Sequence, residues 1–189
     1  MSGDASTEPP ESDALRLERL PLDALTARAL FELARLRVDV FVVEQRCPYP
    51  ELDDLDLHPG TRHVLGYAAG ELVACARTLA PPERGAAARI GRVAVRRTHR
   101  RRGLARALLD WTLAELERER PRGAVELGAQ LAAEGLYASL GFERVSAAYL
   151  EDGIPHIEMR RQPPASPSSL SSSDASTSTP PATRSGRVR

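Results

Sequence analysis

Segments with a two-residue hydrophobic period follow segments with a period of three to four residues along the chain. This succession of periods limits the possible fold more than any other feature. Runs in which apolar and polar residues alternate predict strands, and runs with an apolar residue every three or four positions predict helices. The order read from these runs is β-α-β-β-β-α-β-α-β-β. Such an order predicts a mixed sheet with helices on its faces, which is an α/β fold.

The predicted elements lie within one segment of the chain. Strands are expected at residues 14–20, 62–70, 71–80, 88–95, 124–130, 142–150 and 156–162. Helices are expected at residues 22–44, where Pro21 suits a helix start, and at residues 103–119 and 131–140.

The two ends of the chain differ in composition from this segment. Residues 1–13 are polar and acidic, and residues 163–189 are rich in Ser, Thr and Pro. Segments with so few large apolar residues cannot bury enough surface to offset the entropy of ordering. We therefore expect both ends to be disordered and residues 14–162 to form one domain.

Composition excludes several classes of protein. Basic and acidic residues number 26 each, so the net charge is zero and lacks the basic excess of a dedicated nucleic-acid binder. The two cysteines, Cys47 and Cys75, form no CxxC pair and suggest a reducing compartment. The N-terminus lacks the apolar run of a secretory signal, and no stretch approaches the roughly 20 apolar residues of a membrane span. We expect a soluble, cytoplasmic protein with no membrane or nucleic-acid partner.

Residues 96–106, "RRTHRRRGLAR", hold six arginines around one glycine. The stretch joins an apolar strand, "GRVAV", to a helix that begins near Gly103. The first turn of a helix has unpaired N–H groups and a positive dipole end, and a glycine allows the backbone to approach a phosphate closely. These features predict a site for a small phosphorylated ligand, since no aromatic residues are interleaved for base stacking. A solvated basic turn remains the alternative, because the chain contains no lysine and every basic side chain is an arginine.

Two spaced motifs point to a known family. "RRRGLA", at residues 100–105, matches the pattern R/Q-x-x-G-x-G/A, and the pattern N-x-x-A-x-x-x-Y-x-x-x-G-F corresponds to Gln130, Ala133, Tyr137, Gly141 and Phe142, with Gln in place of Asn. Further segments agree: "LRVDVFVVEQRCPYPELDDLDL", "HVLGY", "GRVAV", "LGAQ" and "YLEDGIPHIEM". Over residues 36–159 the chain resembles the GNAT superfamily of N-acyltransferases, in particular its ElaA-like branch.

This resemblance implies a GNAT-like splayed sheet and an acyltransferase that uses acetyl-CoA as its cosubstrate. It implies that the cosubstrate is bound by Val93, Ala94, Val95, Arg100, Arg101, Arg102, Gly103, Leu104, Ala105, Gln130 and Tyr137. A backbone N–H near Val95 would bond the thioester carbonyl oxygen, and the Tyr137 phenol would protonate the leaving thiolate. Tyr137 as an ordinary core residue is the alternative.

The general base is left open by the sequence. Glu44 is the leading candidate, because a carboxylate half-buried at the end of the first helix would have a raised pKa. An ion pair between Glu44 and Arg37 is the competing interpretation. The other candidates are Glu51, Asp53, His63, His99, Asp152 and His156, and a water relay would need no single base.

The acceptor is expected to be a primary amine of a small molecule or peptide. It would lie between the acidic loop that follows Cys47 and the turn "EDGIPH", where Asp152 and His156 would bind it. Alternatively, Asp152 and Gly153 only close a hairpin. The acidic loop fits neither zinc nor EF-hand spacing, so we expect no metal.

Other functions stay open from the sequence alone. "LRVDVF" loosely resembles acyl-homoserine-lactone synthases. A non-catalytic acyl-CoA-binding module, or a nucleic-acid-binding module that uses the arginine stretch, is a further alternative.

Overall fold

The strands form one eight-stranded mixed sheet in the computed structural model, which describes residues 14–163. The strands are β1 (Arg16–Leu20), β2 (Thr61–Ala68), β3 (Glu71–Leu79), β4 (Ala88–Val95), β5 (Val125–Gln130), β6 (Glu143–Arg144), β7 (Tyr149–Glu151) and β8 (Ile154–Arg161). Their order in the sheet is β1-β2-β3-β4-β5-β8-β6, and β7 pairs with β8 as well.

The first four strands form an antiparallel meander, and the change of direction comes between β4 and β5. These two strands are parallel but pair only at Ala88↔Val125 and Arg89↔Glu126. Beyond these pairs β4 and β5 separate, because β5 continues along β8 from Val125 to Gln130. The sheet is therefore splayed open at its centre.

Helices cover both faces of the sheet. They are α1 (Ala27–Arg37), α2 (Leu104–Glu119) and α3 (Glu134–Ala138). Leu33 and Leu36 of α1 belong to one buried cluster with Leu72 and Cys75 of β3. Leucines of α2 belong to a second cluster that contains Val73 and parts of β5 and β8. Because successive side chains of a strand point to opposite faces, β3 contributes to both clusters, and the predicted α/β fold is confirmed.

The first predicted helix is divided into three parts. Leu22–Ala24 is a single 3₁₀ turn, α1 starts after Thr26, and Val38–Glu44 is a π-helical continuation. The Thr26 hydroxyl accepts a hydrogen bond from the Ala29 N–H at 3.1 Å, so Thr26 is the N-cap and the expectation for Pro21 was wrong. The predicted start of the second helix is confirmed, with Gly103 as its N-cap.

The predicted strand at residues 142–150 is two short strands, β6 and β7. The Glu158 N–H donates to the Ser146 hydroxyl at 2.9 Å instead of to a strand carbonyl. This side-chain bond interrupts the ladder, which the apolar alternation does not reveal. The predictions of disorder for residues 1–13 and 163–189 lie, apart from residue 163, outside the described residues. Within the described part of the chain, no helix is long and apolar enough to cross a membrane.

A buried ionic network holds the loop after the π segment against the sheet. Arg37 of α1 donates to Glu51 at 2.5 Å and to Asp56 at 2.8 and 3.1 Å, and it is 1 % exposed. Arg77 of β3 donates to Asp56 at 2.8 Å and to Asp53 at 2.5 Å. Burial works against the charge of Asp56, but the bonds from Arg37 and Arg77 outweigh it and hold the pKa of Asp56 well below its ordinary value.

Replacing Arg37 by Met should lower the free energy of unfolding by about 3–5 kcal/mol at neutral pH, because it leaves buried carboxylates without their main partner. The pKa of Asp56 is lower in the folded protein than in the unfolded chain, where it is about 3.9. Its charge therefore stabilises the folded protein at pH values above about 3.9. This stabilisation is lost as the pH falls through the lower pKa of the folded protein. The difference between variant and wild type should therefore shrink in acid. Urea unfolding at several pH values measures both effects.

Arg28→Met is the matched control for this prediction. Arg28 lies on the same helix and is exposed, and its one ion pair among residues 14–163 is with Glu32 at 2.9 Å. A surface pair of this kind contributes less than about 1 kcal/mol. Equal losses in the two variants would contradict a structural role for the buried network.

Candidate functional site

A cavity of about 500 Å³ lies where β4 and β5 separate. Five of the predicted site residues line it, namely Val93, Gln130, Tyr137, Asp152 and His156. The other predicted residues, which lie outside the cavity wall, are Glu44, Ala94, Val95, Arg100, Arg101, Arg102, Gly103, Leu104 and Ala105. The site predicted from the sequence therefore has two parts, a cavity and a separate turn at the start of α2.

Within the described residues, the edge of β4 that faces the gap has no strand partner beyond Arg89. A register shift against β3 and a positive φ of 51° at Arg92 mark a β-bulge. The Arg96 N–H donates to the Val73 carbonyl of β3 at 2.8 Å. Because N–H groups alternate along a strand, the N–H of Val95 points the other way, toward the gap that β5 has left. This is the position from which a backbone donor can stabilise negative charge on an oxygen.

Tyr137 enters the cavity from α3 with its ring in the core. The ring is 7 % exposed and packs edge-on against Phe142, with 6.0 Å between the ring centroids. Burial raises the pKa of Tyr137 to about 12, so the phenol is protonated at any physiological pH. Among the described residues its hydroxyl has no hydrogen-bond partner, which leaves it able to donate to a ligand.

Gln130 ends β5 on the opposite side of the gap. Its side-chain amide donates to the side-chain oxygen of Gln45 at 3.0 Å. Gln45 directly follows the π-helical segment. The bond joins the two walls of the cavity, so Gln130 has a partner within the protein.

The turn before α2 has the geometry of an anion site. Gly103 has φ 78° and Arg101 has φ 59°, both in the left-handed region. A Cβ on Gly103 would meet no atom within 4 Å, so the glycine is required by its backbone conformation and not by lack of space. The first N–H groups of the 16-residue helix α2 follow directly.

Half of the six arginines in residues 96–106 are paired with acids. Arg96 pairs with Glu71 at 2.9 Å, Arg100 with Glu44 at 2.5 Å, and Arg106 with Asp110 at 3.4 Å. The remaining three, Arg97, Arg101 and Arg102, form no ion pair within residues 14–163. The turn therefore presents fewer free cations than its sequence suggests.

The reason for choosing Glu44 as the base was wrong. Both carboxylate oxygens accept hydrogen bonds from Arg100, at 2.5 and 2.9 Å, and this pair lowers the pKa of Glu44. The alternative pairing with Arg37 was also wrong, since Arg37 is bound by Glu51 and Asp56. Arg100 in turn donates to the Val95 carbonyl at 2.9 Å, so Glu44 orients the turn before α2.

The acidic loop does not present the free negative charge that was expected. Glu51 and Asp56 are 4 % and 6 % exposed, and both are neutralised by buried arginines. Asp53 lines the cavity but is paired with Arg77 and with Arg92. These three acids fix the loop to the sheet, and their negative charge is largely neutralised by arginines of the protein itself.

The β7–β8 hairpin forms the outer wall of the cavity. Asp152 and Gly153 have φ 49° and 79° and connect the paired residues Glu151 and Ile154, so the dipeptide does close a two-residue hairpin. The Asp152 carbonyl also accepts a weak bond from the Cys47 thiol at 3.6 Å. The hairpin interpretation is confirmed, and Asp152 borders the cavity at the same time.

His156 is part of a cluster that the sequence analysis did not identify. Its ring stacks on Tyr149, with 6.1 Å between centroids, and the Tyr149 hydroxyl donates to Glu158 at 2.7 Å. Glu158 also accepts from Arg89 at 2.9 Å. A Cβ on Gly128 would come within 3.2 Å of the Tyr149 hydroxyl, so the glycine leaves room for this cluster. The only sequence signal was the i, i+2 spacing of His156 and Glu158 on one strand.

Within the described residues, no group of three or more His, Cys, Asp or Glu side chains is arranged to hold a metal ion. The expectation that the protein needs no metal stays a prediction.

Comparison with known proteins agrees with this architecture. A family model described as the acetyltransferase (GNAT) domain matches residues 37–163. Protein ElaA of Escherichia coli is 42 % identical over 138 residues, which cover 73 % of this chain and 90 % of ElaA. The crystal structure of Escherichia coli ElaA superposes with a TM-score of 0.75 at 39 % identity, over 79 % of this chain and 100 % of that one.

A second solved structure is an acyl-CoA N-acyltransferase from Pseudomonas aeruginosa. It superposes with a TM-score of 0.74 at 40 % identity, over 78 % of this chain and 99 % of its own. The resemblance inferred from the spaced motifs is thereby confirmed, and this chain belongs to the GNAT family of acyl-CoA N-acyltransferases, in the group that contains ElaA.

Proposed function

We propose that the protein transfers an acetyl group from acetyl-CoA directly to a primary amine of a small molecule or peptide. The observation that carries this proposal is the cavity of about 500 Å³ at the divergence of β4 and β5. One strand edge of the gap would offer the backbone N–H of Val95, and the opposite side would offer the phenol of Tyr137. A thioester in the gap would lie between a donor for its oxygen and a donor for its sulfur.

The turn before α2 supports binding of the pyrophosphate of acetyl-CoA. Its N–H groups open a helix of 16 residues, so the dipole is fully developed at this end. Arg101 and Arg102 are free to form charge-assisted bonds with phosphate oxygens. Arg100 would act differently, by holding the turn to the Val95 carbonyl.

The amine would enter past the β7–β8 hairpin. Asp152 and His156 border this side of the cavity, whereas three acids of the loop after Cys47 are paired with arginines, namely Glu51, Asp53 and Asp56. Recognition of the amine would therefore depend on the hairpin more than on the loop. Direct transfer needs no covalent enzyme intermediate, and the buried Cys47 is not required as a nucleophile.

Purified protein should release thiol from acetyl-CoA when a primary amine is present. A panel of a diamine, an α-amino-acid amide, an amino sugar and a lysine-containing peptide covers the main classes of acceptor, and a thiol-reactive dye records the rate. Mass spectrometry should find the acetylated amine. Absence of transfer to every amine in the panel would contradict the proposal.

Gly103→Val should weaken acetyl-CoA binding at least about tenfold. A β-branched residue at φ 78° costs about 1–2 kcal/mol of strain, and the turn would have to shift away from the phosphates. Gly103→Asn is the matched control, because Asn tolerates the left-handed region and should keep most of the affinity. Calorimetry on both variants measures the effect, and unchanged affinity in folded Gly103→Val would remove the phosphate assignment.

Tyr137→Phe should lower kcat by roughly ten- to a thousandfold and leave acetyl-CoA affinity nearly unchanged. The ring still packs against Phe142, so only the proton donor is lost. Tyr67→Phe serves as control, since Tyr67 lies on β2 and its ring contacts Arg16 outside the cavity. Equal kcat in wild type and Tyr137→Phe would return Tyr137 to the role of a core residue.

A further inference from the structure

His156 is the one histidine of the four in the chain that lines the cavity. His58 is an exposed loop residue whose Nδ1 accepts from the Gly60 N–H at 3.0 Å. His63 is 1 % exposed and lies under the acidic loop. His99 is bonded to Thr98 in the turn before α2. Of these rings, only that of His156 can meet an amine in the cavity.

The protonation pattern of the His156 ring follows from its hydrogen bond. Nδ1 lies 2.9 Å from the carbonyl oxygen of Ile154. A carbonyl oxygen only accepts, so Nδ1 must carry the hydrogen, and the lone pair of the neutral ring is on Nε2. Within residues 14–163, Nε2 has no hydrogen-bond partner. The ring therefore has a fixed tautomer with a free proton acceptor.

The surroundings of His156 hold the ring in place. The ring stacks on Tyr149, whose hydroxyl is anchored on Glu158. Glu158 follows two residues later on β8, so its side chain lies on the same face as that of His156. The two groups interact electrostatically. The stack on Tyr149, whose hydroxyl is bonded to Glu158, therefore fixes the ring at the cavity wall.

The other titratable groups around this wall are weaker candidates for the base. Glu158 is bonded to Tyr149 and Arg89, and these bonds overcome its burial and lower the pKa of Glu158. Burial raises the pKa of Tyr149 to about 12, which keeps it neutral. Asp53 is paired with two arginines. Glu151 and Asp152 face the cavity from the hairpin and add negative charge near the ring.

We propose that His156 is the general base of the reaction, with Nε2 as the atom that accepts the proton of the acceptor amine. The inference rests on the proposed acetyl transfer. In the step, an N–H bond of the ammonium breaks, the proton moves to Nε2, and nitrogen keeps the electron pair. That pair forms the bond to the thioester carbon. The C–S bond breaks, and sulfur leaves with its electron pair and takes the phenol proton of Tyr137. The second N–H proton, lost as the amide forms, restores the phenol.

The test compares wild type, His156→Gln and His156→Ala with acetyl-CoA and the panel amine that wild type acetylates fastest. In wild type, kcat/KM for the amine should rise with pH and level off across about pH 5 to 9. His156→Gln should be roughly 10²- to 10⁴-fold slower and should lose the rise that is due to the base. Added imidazole should restore part of the rate of His156→Ala in proportion to its concentration. His58→Gln is the control and should behave as wild type.

Each possible result of this experiment either supports or overturns the assignment of His156 as the base. If wild type transfers acetyl and His156→Gln keeps both its rate and its pH profile, the base assignment is wrong while the proposed function stands. If His156→Ala is slower, is not rescued by imidazole and keeps the pH profile of wild type, the residue has a structural role. This result would also overturn the inference. If the wild-type protein acetylates no amine, both the proposed acetyl transfer and the proposed role of His156 are contradicted. Acetyl-CoA affinity, measured by calorimetry, should be equal in all the proteins.

Discussion

The separation of β4 from β5 is the constraint on which the rest of this structure depends. Parallel strands normally pair along their length, but here only two residue pairs are formed before the strands diverge. The backbone groups of β4 beyond this point lose their partner, and such groups are costly unless something else satisfies them. Arg100 satisfies one by donating to the Val95 carbonyl. The Val95 N–H, in contrast, points away from β3, and in the proposed reaction it would donate to the thioester carbonyl oxygen.

The buried ionic network fixes the loop that closes one side of the cavity in the splayed sheet. Arginines from α1, β3 and β4 converge on the acids of one loop, and these are Arg37, Arg77 and Arg92 with Glu51, Asp53 and Asp56. Tyr49 adds a bond to Glu51, and burial together with this bond raises the pKa of Tyr49 well above its usual value. A hydrophobic loop could pack with similar stability, but bidentate pairs fix one geometry. The loop is thereby held as a rigid side of the cavity.

The sequence predicts the elements of this fold well, because most of them follow from local periodicity. Helix α2 is an example, where Gly103 marks the start, the spacing of the leucines gives the helical period, and Pro121 follows the end at Glu119. Pairing between distant charges has no such local signal. The acids after Cys47 look like an exposed anionic loop, and only the fold brings Arg37 and Arg77 to them. Glu44 was misjudged for the same reason, since its partner Arg100 is 56 residues away. The cluster of Tyr149, His156 and Glu158 likewise needs the β7–β8 pairing before it becomes visible.

Burial of Tyr137 limits how its proton can be used. A phenol with a pKa of about 12 is a weaker acid than a thiol, for which about 8.5 is usual. Full transfer of the proton to a free thiolate would then be uphill. The cost falls if the phenol donates a hydrogen bond while the C–S bond is still breaking, because charge on sulfur is then shared and not fully formed. The free-energy cost falls further if the proton that leaves the amine nitrogen reaches the phenolate oxygen while the C–S bond breaks. If Tyr137 is the proton donor, as proposed, its burial would therefore favour concerted transfer over a stepwise path through a free thiolate.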